Sequence, residues 1–266
     1  MGDRGGSPAR RRNHPSSMRG SETMISCRAA VMAALVAAPV GAAEIDPGAE
    51  AVLRGMCAAL GGLASFTVTS DGSTDVILRD GRKLQLVATT TAVVDRAAGF
   101  RMRRDGPFGA VEAVHDGATL TVWSEALGGY AVTPAPGGLD EGLDALLAVF
   151  GEGAAGGADL LYADPCGNLM NGVESGDYIG VTTVGGVAAH HLFYRADDHD
   201  WQLWVRAEGA ALPVRYVITS KWLMGAPQFT AQFHDWRFEA DDDFSFTAPE
   251  GAREIAAADA ARDMME

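Results

Sequence analysis

The residues that could do chemistry fall into a few short clusters. Gly151, Gly153 and Gly156 spell G-x-G-x-x-G. That loop cradles a dinucleotide pyrophosphate when it lies between a strand and a helix, with an acid about 20 residues on. Here it follows a leucine stripe at helical spacing and precedes no long helix, so it reads as a flexible loop. His190 and His191 are adjacent on a strand-like run, and successive strand residues face opposite sides. They therefore do not share a metal, and they read as half-buried packing residues. Asp197, Asp198, His199 and Asp200 are ligand-type side chains, but they lie between two strand-like runs, where aspartates make turns. Their spacing is not that of a calcium loop. Asp241–Asp243 reads the same way. His115-Asp116 has half the composition of a catalytic triad, yet it sits at a hairpin-type turn with no identifiable nucleophile. Arg101, Arg103 and Arg104 form a basic cluster in an acidic chain. The reading preferred is a face balancing local acids rather than an anion or partner site. No G-x-S-x-G, H-E-x-x-H or paired zinc-ligand motif occurs. The expectation is a protein that is not an enzyme, with no cofactor and no metal.

The N-terminus reads as a leader. Arg4, Arg10, Arg11, Arg12, Arg19 and Arg28 precede the apolar segment Ala29–Val40, and small residues follow at Gly41, Ala42 and Ala43. A basic stretch, a short apolar core and a small-residue exit describe a secretory signal peptide. The apolar run falls short of the roughly 20 residues that span a bilayer. Cleavage is expected after Ala43, with Met1 or Met24 as the start, and no stable membrane insertion afterwards. Residues 1–43 hold six of the 21 Lys+Arg and two of the 35 Asp+Glu, which leaves 15 basic and 33 acidic residues and a formal charge of −18. A field of that sign disfavours nucleic acid and anionic membrane surfaces. Cys57 and Cys166 remain, each in a predicted helical segment. An oxidising compartment permits a bridge between them, but sequence does not show whether their Cα atoms come within range; a disulfide stays open, and two small buried thiols are the preferred reading.

These residues must be positioned by helices and strands that the patterning outlines. Asp46 caps a helix that Pro47 opens, with Val52, Leu53, Met56 and Leu60 on one stripe and Gly61-Gly62 ending it. Strand-like runs follow at Ser65–Thr69, Asp75–Leu78, Leu84–Arg96, Gly99–Arg104, Val111–His115, Thr119–Ser124 and Tyr130–Thr133. Asp80-Gly81 and Asp116-Gly117 are hairpin-type turns. Leu139, Leu143, Leu146, Leu147 and Phe150 recur at helical spacing. A Gly/Ala-rich loop and a short helix from Asp164-Pro165 come next. Strands then return, with His190–Arg195, Trp201–Arg206, Val214–Trp222 and Phe229–Phe238 the clearest. Trp201 and Trp204 fall on opposite faces of one run. Strands follow strands, so the class is α+β with an antiparallel sheet. The expected architecture is a strongly curved half-barrel of about 11 strands, its concave face covered by a few helices. Residues 44–250 make one domain, and 251–266 a flexible tail.

The second half also resembles a known family. Ala158-Asp-Leu-Leu-Tyr162 before Asp164-Pro165, Asp177-Tyr178-Ile179-Gly180, Thr183-Val184-Gly185-Gly186-Val187 and His190-His191-Leu192 carry the first part of the resemblance. Asp200-Trp-Gln-Leu-Trp204, Leu212-Pro213, Val217-Ile218-Thr219 and Gly225-Ala226-Pro227-Gln228-Phe229 carry the rest. Together with Val76–Gln85 and Tyr130, they resemble the predicted periplasmic proteins of domain-of-unknown-function family 2092. The resemblance spans nearly all of Asp46–Pro249. It implies similarity in fold to periplasmic carriers and outer-membrane receptors of lipoproteins, whose concave apolar face holds acyl chains. It transfers no catalytic residue.

The functional expectation is a soluble periplasmic binding or carrier protein for a hydrophobic or acylated ligand, lipid or lipoprotein. Its cavity wall is expected at Phe66, Val68, Leu84, Leu86, Met102, Leu120, Val122, Leu143, Leu146, Leu147, Phe150, Leu203, Tyr216 and Ile218. The chemistry asked of them is desolvation, worth about 0.8 kcal/mol per buried methylene. Taken singly, most of these positions read as ordinary core. The alternative is an envelope protein-interaction or sensor module, with an envelope protein as partner and no lipid.

Overall fold

A computed structural model describes residues 44–150 and 157–258. The expected leader, the glycine loop and the end of the tail lie outside the described residues. Asp46 opens the described fold as the N-cap of helix α1 (Pro47–Gly61). Its carboxylate accepts from the Gly48 and Ala49 amides at 2.6 and 3.0 Å, two of the donors that a helix start leaves without partners. The stripe then buries Leu53, Met56 and Leu60, together with Ala49 and Cys57. Helix α2 (Leu139–Phe150) and the short α3 (Pro165–Leu169) follow, with a 3-10 turn at Ala158–Leu160 between them. No described helix is long and apolar enough to cross a membrane.

The strands are β1 (Ser65–Ile77), β2 (Lys83–Asp95), β3 (Gly99–Gly106), β4 (Gly109–His115), β5 (Thr119–Ser124) and β6 (Gly129–Pro134), then β7 (Val173–Val184), β8 (Val187–Ala196), β9 (His199–Arg206), β10 (Pro213–Ser220), β11 (Gln228–Arg237) and β12 (Arg253–Glu254). They form one open, curved sheet in the order β12-β6-β5-β4-β3-β2-β1-β11-β10-β9-β8-β7. Two meanders, β1 to β6 and β7 to β11, meet where β1 pairs with β11. Every pairing within and between them is antiparallel; only β12 runs parallel to its neighbour β6. Register shifts in β1·β11, β9·β10 and β7·β8 mark bulges, which bend and twist strands and so help curve a sheet.

The sheet has one strand fewer in its first half than the patterning predicts, and one more at the end. Ser65–Thr69 and Asp75–Leu78 join into β1, because Gly72 pairs with Ala88 on one side and Ala231 on the other. Two flanking strands override the turn-type residues between. A Cβ on Gly72 would lie 3.3 Å from the Thr230 carbonyl oxygen, the close backbone approach that a glycine in a strand often marks. Arg253 and Glu254, within the stretch expected as a tail, pair with Gly129 and Tyr130.

The concave face holds two cores. One lies under α2 and contains Phe66, Val94, Phe100, Leu120, Leu139 and Leu143. The other lies under α1 and α3 and contains Leu53, Met56, Leu192, Tyr194, Trp201, Leu203 and Tyr216. Phe233 and Trp236 touch both. Trp201 stacks on Tyr194 at 4.2 Å between centroids, whereas Trp204 stacks on His191 at 4.1 Å on the other face. Cys57 and Cys166 are bridged across a Cα–Cα distance of 5.7 Å, which corrects the expectation of two thiols. The reason is tertiary. α1 and α3 lie side by side over the second core, a juxtaposition that a sequence separation of 109 conceals.

Candidate functional site

A space survives between sheet and helix where the facing side chains are too short to meet. Beneath α2 the concave face presents Gly72, Ala88, Ala92, Ala113 and Ala231, and a partly enclosed cavity of about 140 Å³ lies over them. Leu146 of α2, with Ala158 and Leu161 beyond it, lines the helical side. A dry cavity of about 150 Å³ takes up a benzene-sized molecule, so this one has room for about six carbons of a longer chain. The same strand face continues past the cavity through Leu86 to Val76 and Leu84, which are 36% and 45% exposed.

Polar bonds fix the helical side in place. Arg96 donates to the carbonyls of Leu60, Leu63 and Leu161 at 3.0, 2.9 and 3.0 Å, tying the end of α1 to the cavity-lining segment. Burial pushes its pKa down, and nearby Asp140 partly offsets that. The Tyr162 hydroxyl donates to Asp144 at 2.8 Å, and the Ala163 amide to Asp140 at 2.9 Å, so α2 and this segment are held together. Burial, then the bond to Asp144, pushes the Tyr162 phenol up. Burial likewise pushes up the Tyr216 phenol, with Asp159 beside it adding to the effect.

Of the wall residues expected from sequence, the structure gathers Val68, Met102, Val122 and Leu146 around the cavity. Phe66, Leu120 and Leu143 are fully buried in the adjoining core without lining the space, and Leu147 packs against that core. Leu84 and Leu86 share the strand face but lie beyond the cavity. Phe150 closes α2, and its side chain lies outside the described residues. Leu203 and Tyr216 lie instead in the core under α1, and Ile218 packs against that core, among large side chains such as Trp201 and Tyr194. Large apolar residues, which hydrophobic patterning picks out, fill space; the signal for a cavity lies in small residues that leave it, and these recur at alternate positions of β2 as Ala88, Thr90 and Ala92.

The other clusters resolve into structural roles. His115 is fully buried and stacked on Phe100; its Nε2–H donates to the Ala135 carbonyl at 2.8 Å. Asp116 faces the turn instead, accepting from the Ala118 and Thr119 amides. Despite burial, those bonds hold its carboxyl below its usual range. Asp197 and Asp198 form the turn between β8 and β9. Among the described residues no group of three or more His, Cys, Asp or Glu could hold a metal.

The arginine cluster divides by strand parity. Arg101 pairs with Asp242 at 2.6 Å and Glu112 at 2.8 Å, and Arg103 pairs with Asp105 at 2.8 Å. Arg104 faces the other way and lines the cavity. The reading of a face balancing local acids therefore fails for Arg104. The signal was available: Met102, expected in the wall, shares its parity on β3.

With this geometry in view, the sequence profile of the family described as predicted periplasmic protein, DUF2092, matches residues 49–258. The chain belongs to that family. The match runs from the first turn of α1 past β12, so in this DUF2092 chain it takes in the whole cavity. No curated protein sequence matches the chain. Among solved structures it is similar to the lipoprotein LppX of Mycobacterium tuberculosis, with 13% identity, a TM-score of 0.45, and 77% of this chain and 100% of that one covered. It is similar to an uncharacterised conserved protein of Thermus thermophilus, with 10% identity, a TM-score of 0.47, and 79% and 99% covered. It is also similar to a LolA superfamily protein of Nitrosomonas europaea, with 10% identity, a TM-score of 0.38, and 74% and 97% covered.

Proposed function

We propose that this chain is a periplasmic binding protein that carries a hydrophobic or acylated ligand in the cavity beneath α2. The observation that carries the reading is the floor of small residues, Gly72, Ala88, Ala92, Ala113 and Ala231, set among otherwise well-filled cores. A core selected for stability alone fills such a gap, since unfilled volume costs about 24 cal/mol per Å³. The family's description as predicted periplasmic supports export, and the leader expected at residues 1–43 supplies the route. The work asked of the site is desolvation and positioning, without bond making.

The test is binding of the neutral fluorophore N-phenyl-1-naphthylamine to the purified chain. The reading expects saturable binding with one site per chain, and a loss of about tenfold or more in affinity for Ala88→Phe, whose ring would occupy the cavity floor. Thermal melting of the variant separates a filled cavity from a lost fold. Absence of saturable binding to the folded wild type contradicts the reading.

A second reading has one observation in its favour. Trp222, Leu223 and Met224, in the turn between β10 and β11, are 72%, 62% and 78% exposed. Contiguous exposed apolar side chains mark interaction sites, and an envelope protein is the partner this reading names.

A further inference from the structure

The cavity wall is apolar except along one line. Ser70 of β1 pairs in register with Thr90 of β2, and Thr90 pairs with Arg104 of β3. All three line the cavity. They form a polar row across adjacent strands, spanning about 10 Å at two inter-strand spacings. Arg104 differs from its neighbours on β3, where Arg101 and Arg103 each face a carboxylate. Arg104 has no ion pair and no side-chain hydrogen bond among the described residues, nor do the Ser70 and Thr90 hydroxyls. Burial lowers its pKa, and no neighbouring carboxylate raises it. Arg104 is half-buried, and a cation whose hydration is reduced by its surroundings gains from an anion that pairs with it. Guanidinium offers donors only, in a planar fork that matches a carboxylate or phosphate. Both hydroxyls can donate to the same anion.

Next to the row the wall turns apolar again. Val68, Ala92 and Met102 lie two residues along β1, β2 and β3, with Val122 and Leu146 beyond. We propose that Ser70, Thr90 and Arg104 are the head-group site for an anionic amphiphile, a carboxylate or phosphate ester on an alkyl or acyl chain. Its tail lies over Ala92 and Met102 beneath Leu146. This rests on the binding-protein reading above and adds the charge and orientation of the ligand.

The experiment compares three ligands with one chain length, decanoate, decyl phosphate and 1-decanol, as competitors of bound N-phenyl-1-naphthylamine. The full chain and its Arg104→Met and Thr90→Val variants are titrated. A charge-assisted hydrogen bond is worth enough to place at least one anion at a displacement midpoint about tenfold below decanol in the wild type. Whichever of decanoate and decyl phosphate is the tighter identifies the head group. Arg104→Met is expected to bring that ratio to within about twofold of one, and Thr90→Val to reduce it about two- to tenfold, since one neutral donor is lost. A melting temperature of Arg104→Met at or above that of wild type shows that the fold is intact. An anion preference that is absent in the wild type, or that persists in Arg104→Met, overturns the assignment while leaving the binding-protein reading standing. Failure of all three ligands, with no fluorophore bound, overturns both.

Discussion

Arg104 and His191 show what single residues contribute on the two faces of one sheet. Arg104 points inward, where its charge lacks a partner. His191 points outward, stacked on Trp204 with its Nε2–H donating to Gln202 at 3.0 Å, and Arg215 lies over the same indole at 5.6 Å. Burial lowers the His191 pKa, and the bond to Gln202 only partly offsets it. A histidine with a depressed folded pKa binds its proton more readily in the unfolded chain. Its contribution to stability is therefore present above the unfolded value near 6.5 and is lost as pH falls from there through the lower folded value. His191→Phe keeps the stack and removes the titration. Its melting temperature, taken relative to wild type, is expected to rise as pH drops from about 7 to 5. A constant difference across that range would contradict this. The opposite facing of His190 and His191 was legible, because strand parity alone decides it. The division of Arg101 and Arg103 from Arg104 was equally legible by parity, and the grouping of three basic residues by proximity in sequence obscured it.

Among the elements, α2 covers the cavity through Leu146. It approaches the sheet closely at Gly142, where an added Cβ would lie 2.5 Å from the His115 ring. That ring is held by its bond to Ala135 and its stack on Phe100, so it has little room to move. Helix propensity alone predicts that Gly142→Ala stabilises by about 1 kcal/mol. Packing predicts the reverse, a loss of about 1–3 kcal/mol, with weaker fluorophore binding because Leu146 rides on the same helix. Equilibrium denaturation decides between the two signs. The disulfide fixes the other half of the helical cover. Closing a loop across a separation of 109 residues is worth about 4–5 kcal/mol in the chain-entropy account, so Cys57→Ala with Cys166→Ala is expected to lower the melting temperature by about 10–20 °C. An unchanged melting temperature would show that the bridge contributes nothing to the fold. Most elements were legible in the sequence. The N-cap at Asp46, the leucine stripe of α2 and the bounds of β5 follow from local patterning. The pairing of Cys57 with Cys166 and the run of β1 through Gly72 were not, since both depend on what lies alongside.

At the scale of the described chain, two helical covers share one sheet and do different work. Under α1 and α3 the side chains are large and interlock: Trp201, Tyr194, Leu203 and Tyr216 are each 2% exposed or less. Under α2 the floor is built from glycine and alanine, and it holds a space with a lone arginine at its wall. The sheet's alternation and the helical cover could be read from sequence, because they follow from periodicity. Which half is filled and which is hollow could not, because that depends on facing side chains brought together by the pairing of β1 with β11. The most direct test is to purify the chain from a bacterial periplasm, extract it with organic solvent, and identify co-purified lipid by mass spectrometry. The account predicts a discrete anionic amphiphile at close to one per chain, depleted in Ala88→Phe. A lipid-free wild-type chain that also fails to bind N-phenyl-1-naphthylamine would contradict it.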